Sequence, residues 1–122
     1  MAGYTCVMPH SSFVRSAEVG WERAGEGVRR QVLGHGVDLM IVRVEFEHGA
    51  IGAVHSHPHR QASHVIAGRF EVTVDGETTE LHAGDCFYVE ADVLHGVRAI
   101  EAGVLLDVFT PVREDFLAAG RR

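Results

Sequence analysis

The chain has 122 residues, 46% of them apolar and 23% charged, with a formal net charge of −6 at pH 7. That length fits one domain with a core of its own, and the acidic balance excludes the basic face of a general nucleic-acid binder. No run nears the roughly 18 apolar residues of a membrane span, and the start, MAGYTCVMPHSSF, lacks the basic and apolar regions of a signal peptide. A cytoplasmic protein with no nucleic-acid or membrane partner is therefore expected. Its two cysteines, Cys6 and Cys86, are far apart and make no disulfide framework.

Residues 1–30 have weak periodicity and read as an arm. Tyr4, Val7, Phe13 and Val14 have no obvious place in one core, so the arm is expected to pack on the body or on a second copy. Small barrels also keep sheet edges, which makes a homodimer the expected state. Residues 31–122 form the body. VRRQVLG and VDLMIVRVEFE flank GHG, a hairpin signal. AIGAVHSHPH begins as a strand, and Pro58 marks its end because it cannot donate to a ladder. The next strand starts near Gln61.

RFEVTV alternates, with Phe70, Val72 and Val74 on one face. Asp75-Gly76 then suits a tight type I′ turn into TTEL. AGDCFYV, LHGVRAI and GVLLDVF follow, with Gly and Asp punctuating the runs every eight to twelve residues. That spacing belongs to an all-β sandwich or closed barrel. Only PVREDFLAAGRR reads as a helix: Pro111 stands at or before its start, Glu114 and Asp115 suit its first turn, and Gly120 ends it.

Four of the nine histidines, His55, His57, His59 and His64, lie within ten positions. On a strand, His55 and His57 point to the same side as Ile51 and Ala53. Gln61, Ser63 and Val65 share one face of the next strand, with His64 on the other. Two histidines and a glutamine then converge from adjacent strands, and His95, opening a later strand, is the best candidate for a further ligand. Neutral imidazole is the commonest metal ligand, and burying several without a partner is costly. His10, His35, His48 and His82 fall in turns or termini and read as ordinary surface residues. His59 either contacts a ligand from its loop or is solvated.

The spacing resembles the cupins, small metal-binding β-barrels. Their first motif is Gly, five residues, His-x-His, three or four residues, Glu, six residues, Gly. Gly49, His55, His57, Gln61 and Gly68 occupy those positions, with glutamine in place of glutamate. Of the second motif, Gly84 and His95 remain, while Glu90, Asp92 and Ala99 replace its Pro, Gly and Asn. The resemblance implies a single-domain jelly-roll barrel, or double-stranded β-helix, over roughly residues 30 to 110. HSHPHRQ, GRFEVTVDGE, LHAGDCFYV and LLDVFTPVREDFL are similar, more narrowly, to the KdgF-type cupins of pectin and alginate breakdown.

That narrower resemblance implies linearisation of 4,5-unsaturated uronate monosaccharides to 5-keto-4-deoxyuronates. It also implies metal ligands His55, His57, Gln61 and His95, and a catalytic tail of Asp107, Phe109 and Arg113. His64 stands where a tyrosine is common in those enzymes, and Arg60 where an acid is common.

The chemistry agrees with elementary considerations. Three imidazoles and an amide are neutral, so one divalent transition metal (zinc, nickel, iron, manganese or copper) keeps its full charge as a Lewis acid. Four protein ligands leave octahedral positions for a sugar-acid substrate, whose carboxylate and ring oxygen form a chelating pair. In VLLDVF, Leu105, Asp107 and Phe109 share a face. If Leu105 is core, Asp107 is a carboxylate inside the barrel with a raised pKa; otherwise it bonds a turn. Arg113 suits a substrate carboxylate through its planar fork, or else pairs with Glu114 or Asp115. By its type alone, Phe109 reads as core. The ligands also suit another metal-dependent cupin enzyme, such as a dioxygenase or a polyketide cyclase-like protein. A non-catalytic small-ligand sensor is a further class, and Asp107 with Arg113 favours an enzyme over it.

Overall fold

The computed structural model describes residues 12–120. Ten strands run in chain order: β1 (Glu22–Gly25), β2 (Val28–His35), β3 (Met40–Phe46), β4 (Ile51–His55), β5 (Arg60–Ala67), β6 (Arg69–Val74), β7 (Glu77–His82), β8 (Cys86–Val89), β9 (His95–Ala99) and β10 (Gly103–Thr110). A short helix, α1 (Glu114–Gly120), closes the described chain. The strands form a six-stranded sheet, ordered β1-β2-β3-β10-β5-β8, and a four-stranded sheet, ordered β4-β9-β6-β7. All pairings are antiparallel. The two sheets enclose one core: the sandwich or barrel expected from the turn spacing, in the jelly-roll form that the family resemblance implies. No helix of the described residues is long and apolar enough to cross a membrane.

Strict alternation builds the larger sheet. In β3, Met40, Val42, Val44 and Phe46 all turn inward and are buried. Register then aligns inner residues in rows across three strands. Val44, Leu105 and Val65 make an apolar row. The next row toward the mouth is Val42, Asp107 and Ser63, and the next is Met40, Phe109 and Gln61. The smaller sheet has the same gradient: Phe70 pairs Ala99, Val72 pairs Val97, and Val74 pairs His95. Phe46 meets Phe70 edge-on at 5.1 Å and closes the deep end.

The expected turn at residues 75–76 is present. Asp75 and Gly76 have φ of 52° and 81°, and Val74 pairs Glu77 across them, as a type I′ turn requires. The β2–β3 hairpin forms, but its connection lies at residues 36–39 and shares only Gly36 with the GHG triplet. Between Val32 and His35 the register slips by one residue against β3, and Gly34 sits in that bulge.

The expected arm boundary at residue 30 falls inside β2, and β1 precedes it in the sheet. The strand read from VRRQVLG thus begins at Val28, before that boundary, and Arg30, opposite buried Val44, points inward. Its charge is met by Glu22, and its guanidinium lies 3.7 Å from the Phe116 ring centre. Residues 12–21 lead into the sheet, and buried Gln31 donates to the carbonyls of Ser16 and Val19. Tyr4, Val7 and His10 lie outside the described residues.

Gly68 alone links β5 of one sheet to β6 of the other. Its φ is +85°, and a Cβ there would lie 2.5 Å from the Ala102 carbonyl oxygen and 2.7 Å from Gly103 Cα. Backbone atoms on a neighbouring strand cannot yield cheaply. Gly68→Ala is expected to lower stability by about 2–3 kcal/mol, read as a fall in Tm on the order of 10 °C. Gly36→Ala, with open space and no positive φ, should leave Tm within a degree or two, on the order of the small effects seen at unconstrained surface sites. Equal melting of the two variants would refute this account of the corner.

Candidate metal centre

His55, at the end of β4, pairs His95, which opens β9. A strict period of two would put His55 with Ile51, but Ile51 is 59% exposed. Gly52 is the inward position, since a Cβ there would touch Val97 and Phe46. Between Gly52 and His55 the strand gains one residue against β9, and this bulge turns His55 inward. The expectation that His55 shares a side with Ile51 and Ala53 is thus corrected. His57 follows in the loop, whose carbonyl accepts from Asp92 N–H and ties it to the turn before His95. Gln61 reaches the same place from β5. The histidines and the glutamine therefore converge from facing sheets, not from adjacent strands as expected.

The three rings cluster tightly. His55 and His95 centroids are 4.4 Å apart, His57 and His95 4.7 Å, and His55 and His57 5.4 Å. One ligand nitrogen from each lies within 4.8 Å of the others. His57 and His95 are buried, while His55 faces the opening. Each ring gives its Nδ1 to a backbone carbonyl: His55 to Ala53 at 2.8 Å, His57 to His59 at 3.0 Å, His95 to Val93 at 2.9 Å. A carbonyl only accepts, so Nδ1 carries a proton, and in a neutral ring Nε2 then keeps a lone pair. Desolvation first, and the Arg113 charge among further causes, lower the pKa values of His57 and His95, which keeps both rings neutral.

The consequences are visible in two places. His95 Nε2 is buried with no hydrogen-bond partner among the described residues. His57 Nε2 lies 3.0 Å from Gln61 Oε1, so one lone pair faces another. Neither contact is stable in a dry interior unless a cation sits between the donors. The set is compatible with a divalent metal, of imidazole-rich type.

The other end of Gln61 is fixed as well. Its Nε2 donates to Ser63 Oγ at 2.8 Å, and Ser63 Oγ donates to Asp107 Oδ1 at 2.6 Å. Asp107 and Ser63 are direct cross-strand partners. Leu105 is core, at 3% exposure, so Asp107 does project inward. Burial pushes its carboxyl from the ordinary 3.8 up to about 6, against the Ser63 hydroxyl and the Arg113 charge, which both hold it down. Ser63 was read only as a face-mate of Gln61. Its position two residues on, opposite a strand carrying Asp107, was the available signal.

The tail packs over the mouth. Phe109 is buried, with its ring 5.7 Å from His57 and 5.7 Å from Phe116. Arg113 lies over Phe116 at 4.0 Å and gives its Nε and Nη2 to Asp115 at 3.1 and 2.8 Å. That pairing is one of the two alternatives the sequence left open. His59 lies beside His57, and its buried Nδ1 has no hydrogen-bond partner among the described residues. His64 is on the outer face, opposite Cys86, and is not part of the cluster.

The chain belongs to the cupin family, whose cupin-domain model matches residues 42–109. Within the family it is of the KdgF type. It is 44% identical, over 102 residues, to the pectin degradation protein KdgF of Dickeya dadantii (strain 3937), covering 82% of this chain and 93% of that one. The structure of KdgF from Halomonas sp. superposes with a TM-score of 0.83 at 37% identity, over 88% of this chain and 99% of that one. An RmlC-like cupin from Shewanella frigidimarina NCIMB 400 gives 0.85 at 43% identity, over 88% and 96%.

The raised carboxyl also sets a stability signature. Below the unfolded value of 3.8 the group is protonated in both states; between 3.8 and about 6 only the folded state keeps the proton. Its contribution is thus fully present below 3.8 and lost as pH rises through about 6. Metal-free Asp107→Asn, which never ionises, should melt higher than the metal-free parent at pH 7–8, with the gap closing toward pH 4. A constant gap across that range would show that the carboxyl is not the titrating group.

Proposed function

We propose that the protein opens the ring of a 4,5-unsaturated uronate monosaccharide and tautomerises it to a 5-keto-4-deoxyuronate. The observation that carries this reading is the carboxyl of Asp107, raised to about 6 and hydrogen-bonded through Ser63 to the amide beside the three clustered histidines. An acid–base group poised near neutrality next to a cation site suits a reaction that removes one proton and returns one. The pectin-degradation role of the Dickeya relative favours the substrate class.

His55, His57, His95 and Gln61 would hold one divalent transition metal. When bound, it supplies a Lewis acid that favours negative charge on oxygens beside the sugar carboxylate. Asp107 takes the proton of the anomeric hydroxyl. The bond from C1 to the ring oxygen breaks, C1 becomes an aldehyde, and the ring oxygen becomes the enolate oxygen on C5. Return of a proton to C4 then gives the C5 ketone, so the reaction is an isomerisation with nothing gained or lost. Asp107 serves both transfers because its pKa lies near the working pH.

Arg113 commits its Nε–Nη2 edge to Asp115, leaving the Nη1 edge for the substrate carboxylate or hydroxyls. Phe109 and Phe116 bracket the guanidinium at 5.1 and 4.0 Å and keep it in place. Phe109 also walls the site beside His57. We place the enzyme in the cytoplasm, acting on a free sugar acid as a homodimer. Phe13 and Val14, 87% and 39% exposed, offer apolar surface for the second copy.

The assay is loss of the conjugated double bond of an unsaturated uronate, against its spontaneous rate. His57→Ala should lose metal and activity together. Asp107→Asn should keep the fold and hold metal far better than His57→Ala, while turnover falls roughly 10²- to 10⁴-fold. Arg113→Lys should chiefly raise KM. A parent enzyme no faster than the spontaneous reaction with any divalent metal would end this reading and favour an oxygenase or a sensor. Light scattering at micromolar concentration should give twice the 13.3 kDa chain mass; a single chain mass would exclude the homodimer.

A further inference from the structure

An amide is nearly symmetric in shape. Turning the Gln61 side chain end over end exchanges its oxygen for its nitrogen at almost no steric change. Only the oxygen can face three unprotonated nitrogens around a cation; the NH₂ group would repel it. The sequence contains no charge at position 61 to enforce that choice, so a neighbour must make it.

We propose that Ser63 is a positioning residue that fixes the polarity of Gln61, turning its oxygen toward the three histidines. This inference rests on Gln61 serving as the fourth ligand in the reading above. The hydroxyl has one proton and two lone pairs. Ionised Asp107 can only accept, and at 2.6 Å it takes the proton. A lone pair is then what Ser63 turns to Gln61. That lone pair selects the NH₂ end at 2.8 Å and leaves Oε1 toward His57 Nε2 at 3.0 Å. Ser63 is 1% exposed, so its hydroxyl is out of reach of bulk solvent.

Two backbone constraints hold the chain of bonds. Gln61 and Ser63 share the inner face of β5, and Ser63 and Asp107 are register partners. The same logic explains why glutamine serves here where cupins at large carry glutamate. A carboxylate at 61 and another at 107 would compete for a single hydroxyl proton, and one would stay buried without a donor.

The test is zinc affinity, measured by competition with a chromogenic chelator on the full-length protein. Ser63→Ala should weaken zinc binding about 10- to 100-fold, the usual effect of losing a group that orients a ligand. Ser63→Thr and Ser63→Val form a pair of matched shape, one with the hydroxyl and one without. The Thr variant should bind within a few-fold of the parent, and the Val variant at least about 10-fold more weakly than Thr. In a Gln61→Glu background the Thr–Val difference should largely vanish, because there is no NH₂ end left to select. Equal zinc affinity of the Thr and Val variants would overturn the proposal, as would a Gln61→Ala variant that binds zinc as tightly as the parent. A parent that binds zinc with the expected Ser63 dependence yet leaves the uronate unchanged would sink the substrate assignment and uphold the role of Ser63.

Discussion

The edge-on contact of Phe46 with Phe70 closes the two sheets at one end and so leaves them open at the other. That single asymmetry lets the interior change character along every strand. Near the phenyl rings the rows are hydrocarbon, and nothing polar has to be satisfied. Two residues nearer the mouth, Asp107 and Ser63 interrupt the pattern, and in the row beyond it Gln61 meets the histidines from the facing sheet. Asp107 and Ser63 are tolerable this far inside a barrel because register sets one beside the other.

One cation also serves two opposed needs. Arg113 helps lower the pKa values of His57 and His95, which keeps their nitrogens available as ligands. The same charge pulls the Asp107 carboxyl down, yet desolvation outweighs it and leaves the group near 6. Had the guanidinium been free to approach the carboxylate and form a paired fork, the acid would have been fixed in its ionised form. Asp115 occupies the fork instead and holds it in the tail.

Much of this was legible in the sequence where alternation is regular. β5 shows Gln61, Ser63 and Val65 inward and His64 outward, and β10 puts Asp107 with Leu105 and Phe109 inside. The Asp75-Gly76 turn could be read from residue type alone, because few residues accept positive φ. The errors fall where the period breaks. A bulge in β4 reverses the faces of Ile51 and His55, and Gly52, a glycine inside a strand, was its mark in the sequence. Facing sheets and adjacent strands give the same convergence on paper, since pairing is non-local. VRRQVLG was legible as the strand that became β2, and only the arm boundary drawn at residue 30 cuts across it. Ser63 passed unremarked because its significance lies in what register sets beside it.

Arg30 has a wider bearing. It emerges from β2, is held by Glu22 of the outermost strand, and supports the ring of Phe116 on α1. Phe116 in turn steadies Phe109 and Arg113 over the histidines. The first strand and the last helix are thus mechanically joined through one guanidinium. Loss of Glu22 would leave the guanidinium beneath the Phe116 ring without its ion pair, although Glu22 and Phe116 are remote in the chain. The barrel has no idle end: its beginning braces its lid.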